Sequence, residues 1–176
     1  LWAAFLVNFA GLCITGGLLP VVARDVYGMN ELGLGALVAT FAGGALLGSL
    51  LIATLMRAMR AERIMLVSIV VWHLFMLAFA FAPSSEIGLP LLAIIGLFSS
   101  LCMVPLASVL VARTPVAFRG RVMGLRQLAV VGLPLGLLCA GFLMERIGIS
   151  LTLALLALIG TLGGAVLLWL WPRLAR

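Results

Sequence analysis

The chain has 176 residues, of which 65% are hydrophobic and only 9% charged, and its 11 basic and 5 acidic side chains leave a net charge of +6. A composition this apolar excludes an ordinary soluble domain. The positive balance implies no nucleic-acid partner, because the arginines sit between apolar segments and leave no basic stripe to explain.

Six stretches lack any formally charged side chain: residues 1–23, 32–56, 64–85, 87–112, 127–144 and 147–172. At 1.5 Å per residue, about 20 apolar residues cross a hydrocarbon core of about 30 Å, so these read as six transmembrane helices. The fifth is the shortest. It lengthens backwards to a start near Ala117, which places Arg121 and Arg126 where long side chains snorkel to the interface.

The loops between the spans carry very unequal charge. Arg57, Arg60 and Arg63 lie in the second loop, Arg113, Arg119, Arg121 and Arg126 in or beside the fourth, and Arg173 and Arg176 in the tail, against only Arg24 and Arg146 on the opposite face. Lys and Arg accumulate in short cytoplasmic loops, so both ends of this segment are expected in the cytoplasm and Tyr27, Glu86 and Gly148 outside. Trp2, Trp169 and Trp171 then fall at the cytoplasmic edge, where aromatic belts form. The expected location is the cell inner (plasma) membrane, with the lipid bilayer as partner. Because residue 1 is Leu and a span is already under way there, further sequence is expected upstream.

A shift of 88 residues lays Gly44, Leu47, Gly48, Leu50, Leu55 and Met56 over Gly132, Leu135, Gly136, Leu138, Leu143 and Met144. Leucine matches are cheap in this composition, so the two Gly-x-x-x-Gly pairs carry the weight. Three spans separate the copies, and the second unit must therefore enter the membrane from the opposite side. This is the inverted repeat of many secondary transporters, with repeat one at about 1–86 and repeat two at about 87–176. Glycine lets helices approach closely in lipid, which makes Gly43, Gly44, Gly48, Gly132, Gly136 and Gly141 packing or conformational candidates. Pro105 and Pro134 are expected to kink their helices.

The run Arg119-Gly120-Arg121-Val122-Met123-Gly124-Leu125, followed by Gly132-Leu133-Pro134-Leu135-Gly136 and Gly141-Phe142-Leu143, resembles the major facilitator superfamily. The likeness is to the loop before helix eleven, and to that helix, in bacterial exporters of the drug and siderophore efflux type. Gly44 to Gly48, continuing through Arg57 and Arg63, resembles helix eight and its basic loop. That loop in the family carries an acidic residue near the position of Arg57, where this chain has none. The resemblance implies an all-α membrane protein with six transmembrane helices as two inverted three-helix repeats, half of a twelve-helix major facilitator fold, here the C-terminal half. It implies an N-terminal six-helix half as partner, no cofactor, and Arg57, Arg60, Arg63, Arg119 and Arg121 on the cytoplasmic loops.

In that family the first and fourth spans of this chain correspond to helices lining the central cavity. Asn8, Gly11 and Thr15, at i, i+3 and i+7 on one α-helical face, are therefore candidates to line it, with Ser99, Ser100 and Met103 of the fourth span and Gln127 of the fifth. His73 reads as a neutral, hydrogen-bonded structural histidine rather than a proton relay. None of the five acidic residues lies in mid-span, so any carboxylate that couples proton movement to transport is expected in the other half.

No nucleophile elbow, zinc-helix pair or phosphate-cradling loop is present, and Cys13, Cys102 and Cys139 lie in separate spans with no metal-ligand spacing. The leading expectation is a secondary active exporter, an antiporter type of protein rather than an enzyme, for a small apolar or amphipathic solute. A non-transporting membrane bundle or an inactive truncated fragment is the alternative.

Overall fold

The computed structural model describes residues 1–170, whose regular elements are all helices, with no strand among the described residues. Six helices are long and apolar enough to cross a membrane: α1 (Trp2–Val26), α2 (Glu31–Ala58), α3 (Ala61–Ala80), α4 (Ser85–Ala112), α5 (Val116–Ile147) and α6 (Ile149–Leu170). Trp171, Arg173 and Arg176 lie outside the described residues, so the tail's share of the charge asymmetry has no structural account. The fifth span does reach backwards, through a 3₁₀ turn at Val116–Phe118 into an α-helix from Arg119.

Local chemistry explains most of the helix ends. The Asn30 side chain caps α2 by accepting from the Gly33 N–H at 3.2 Å, with Glu31 in the first turn facing the positive end of the helix. Between α5 and α6 only one residue is non-helical, Gly148 at φ 81°, a left-handed conformation that glycine adopts without steric cost.

Two spans depart from regular α geometry. Most of α1 is π-helical, over Val7–Leu12, Ile14–Leu18 and Val22–Val26, with short α-helical turns at Trp2–Leu6 and Leu19–Val21. Within α5 a 3₁₀ turn at Ala129–Val131 precedes the α-helical stretch from Gly132. Pro134 accounts for this break. It has no N–H to donate to the Val130 carbonyl, and its ring crowds that group. Pro90 and Pro105, by contrast, are both contained in α4, which runs on unbroken.

The helices interleave. α4 packs on both α2 and α3, α3 packs on α6, and α1 packs on α5 and α6. At the α2–α4 seam a Cβ added to Gly44 would fall on the Ala93 carbonyl oxygen, and one added to Gly48 on that of Leu97. At the α1–α5 seam the same construction puts Gly132 at 3.0 Å from the Phe5 carbonyl oxygen and Gly136 onto that of Phe9. The partners obey the shift as well as the glycines: Ala93 and Leu97 are Phe5 and Phe9 plus 88. Each three-helix unit thus lends its second helix to the first helix of the other, which is the pairing an inverted repeat requires.

Gly43 and Gly141 do not share in this. Nothing lies within 4 Å of a Cβ at either, so neither belongs to the seam that the sequence assigned them to. Gly141 is five residues after Gly136, and at 3.6 residues per turn that spacing turns it well away from α1.

The core gathers around α3. Trp72, His73, Ile69 and Met76 are fully buried, as are Val7, Leu92, Ile95 and Leu156 from the helices packed about them. Helices α2 and α5 are the least covered, and both turn rows of large apolar residues outward, including Leu46, Leu47 and Leu50 on α2 and Leu128, Leu138 and Phe142 on α5.

Candidate solute-binding cleft

Where α1, α4 and α5 meet, an open cleft of about 250 Å³ is lined by Asn8 from α1, Met103 and Leu106 from α4, and Arg126, Gln127 and Leu133 from α5. Three residues expected from the sequence to line a cavity, Asn8, Met103 and Gln127, come together here. One amide hydrogen of Asn8 is spent within its own helix, Nδ2 donating to the Ala4 carbonyl oxygen at 2.7 Å. Its other N–H and its oxygen remain for a ligand.

The remaining four lie elsewhere. Gly11 backs onto α3, where a Cβ would stand 2.9 Å from the Trp72 ring. Thr15 is buried, its hydroxyl directed at the Gly11 carbonyl oxygen at 3.4 Å. Asn8, Gly11 and Thr15 share a face only in an α-helix. The wider π-helical turn of α1 holds more residues per turn and rotates Gly11 away from Asn8. Ser99 is buried and donates to the Gly96 carbonyl oxygen at 2.8 Å, while Ser100 stands beside Gly48 in the α2–α4 seam.

Arg126 is the residue that sequence reasoning placed differently. Expected to snorkel toward the membrane surface beside Arg121, it is half-buried and lines the cleft. Arg121 stays exposed, its guanidinium 5.8 Å from the centre of the Phe118 ring. The repeat held a signal for Arg126, because the 88-residue shift sets this charge over Val38.

His73 is fully enclosed. Its Nδ1 lies 2.7 Å from the Ile69 carbonyl oxygen, which can only accept, so that nitrogen carries the proton. Among the described residues its Nε2 has no hydrogen-bond partner, and the ring fills the notches left by Gly160 of α6 and Gly11 of α1. A side chain sealed in this way packs three helices together and has no path to the cleft.

On the face carrying the second and fourth loops, the Glu62 carboxylate accepts from Arg113 at 2.7 Å, with Arg60 at 3.9 Å. The sequence reading found no acid near Arg57. The acid of this face stands at the start of α3 and ties it to the end of α4. Arg57 and Arg63 are exposed, and Arg119 donates to the Thr114 carbonyl oxygen at 3.3 Å. Among the described residues no group of three or more His, Cys, Asp or Glu is placed to hold a metal ion.

Six membrane-capable helices, two glycine seams exchanged between three-helix units and a cleft beside one seam define half of a transporter fold. The family model of the Major Facilitator Superfamily matches residues 1–176, and the chain belongs to that superfamily of membrane transporters. No curated protein gives a significant match.

Proposed function

We propose that this chain is the C-terminal half of a secondary active transporter that exports a small, amphipathic or largely apolar solute by alternating access. The observation that carries the reading is the cleft, where an amide from α1 and a guanidinium and an amide from α5 converge between apolar walls that include Met103 and Leu106 of α4. In this reading the segment sits in the inner membrane with both ends cytoplasmic, as its arginine distribution favours. The uncovered apolar faces of α2 and α5 are where the N-terminal half packs.

Flux measurements in proteoliposomes test this. The chain joined to its N-terminal half moves solute down an imposed gradient, and residues 1–176 alone do not. Flux mediated by this chain unaided would replace the half-transporter with a self-contained carrier or channel.

A further inference from the structure

The 88-residue shift provides each seam with an internal comparison. The positions equivalent to Arg126 and Gln127 are Val38 and Ala39, both exposed on α2, and the position equivalent to Asn8 is Gly96 in the α2–α4 seam. There the backbones close tightly, and a Cβ on Gly96 would fall on the Phe41 carbonyl oxygen. The seam can therefore be built without a polar group. On the α1–α5 side the same three positions carry two amides and a guanidinium, and the space between the helices stays open as the cleft.

The guanidinium has no counter-charge. Among the described residues the Arg126 side chain has no hydrogen-bond or ion-pair partner, and none of the acidic residues lines the cleft. Glu62 is engaged by Arg113 and Asp25 by Arg24. Arg126 lies seven residues into the helix from Arg119, roughly 10 Å along its axis, where an uncompensated cation is costly and faces a bundle interior or water-filled cavity when it occurs at all. Packing of the equivalent helix does not call for a charge, since Val38 holds that position on α2 with 48% of its surface exposed.

We infer that Arg126 is the anion-binding group of the cleft and that the solute is an amphipathic monoanion. Its carboxylate pairs with the guanidinium in the two-pronged geometry that arginine favours, between the amides of Asn8 and Gln127. Its apolar body lies along Met103, Leu106 and Leu133. The inference rests on the cleft being the solute site, and it narrows the solute from amphipathic to anionic.

Binding of three probes that share one ring system tests it: 2-naphthoate, neutral 2-naphthamide and cationic 2-naphthylmethylammonium. Equilibrium dialysis against the full transporter in lipid nanodiscs, corrected with empty nanodiscs, gives the affinities. Naphthoate should bind at least tenfold more tightly than naphthamide, and Arg126→Gln should bring that ratio to about one. Arg126→Lys should retain most of the preference. Removing a half-buried charge does not threaten insertion, and an unchanged helical circular dichroism spectrum reports an intact fold. If Arg126→Gln leaves the naphthoate preference in place, or if naphthamide and naphthoate bind alike to the unaltered protein, the anion inference falls while the cleft stands. If no probe binds, or if filling the cleft with Met103→Trp affects none of them, the solute-site reading falls and takes the inference with it.

Discussion

Gly136→Ala is the most informative single-methyl change in this fold. The added Cβ would overlap the Phe9 carbonyl oxygen and stand 3.1 Å from Cys13 Cβ and 3.2 Å from its sulfur. Backbone oxygen cannot swing aside as a side-chain tip can, so α1 and α5 must separate along the seam. Overpacking of this kind costs about 1 to 3 kcal/mol. Gly141→Ala is the control on the same helix. Nothing lies within 4 Å of its added Cβ, and replacing a mid-helix glycine by alanine stabilises by roughly 0.5 to 1 kcal/mol. The two variants should thus differ by about 1.5 to 4 kcal/mol in opposite directions around the parent. Reversible unfolding in mixed micelles, read by helical circular dichroism, measures both. Equal stabilities, or a Gly141→Ala variant weaker than Gly136→Ala, would refute the assignment of the seam.

Gly160→Ala should destabilise more than Gly163→Ala in the same assay. The first methyl overlaps the enclosed His73 ring, while the second meets only the movable end of Leu6. The Glu62–Arg113 pair should couple by no more than about 1 kcal/mol in a double-mutant cycle, because the arginine is largely exposed and water screens the contact. In a cysteine-free background, a cysteine at Gly28 should react with an impermeant thiol reagent added outside the cell, and one at Ala61 should not. The opposite labelling would invert the proposed orientation.

Features set by local pattern were legible in the sequence. Six apolar runs gave six helices, and the doubled Gly-x-x-x-Gly spacing marked both seams at Gly44, Gly48, Gly132 and Gly136 because close backbone contact leaves glycine as its signature. Composition alone could not separate these from Gly43 and Gly141, whose facing depends on rotation within the helix. The grouping of Asn8 with Gly11 and Thr15 assumed 3.6 residues per turn, and a π-helical α1 does not keep that period. Two polar features depended on tertiary placement. Glu62 and Arg113 are 51 residues apart, and Arg126 meets Asn8 only where α1 and α5 converge on the cleft.

In the proposed cycle solute passes through the cleft between α1, α4 and α5. The most direct test of that claim places one cysteine at Asn8 in the full-length transporter, after Cys13, Cys102 and Cys139 have been replaced, and compares it with one at Leu162 on the exposed face of α6. The reagent is a small charged methanethiosulfonate, and the readout is solute flux in proteoliposomes before and after its addition. The Asn8→Cys variant should react and lose its flux, while Leu162→Cys keeps it. Full flux after complete modification at Asn8→Cys would contradict the claim.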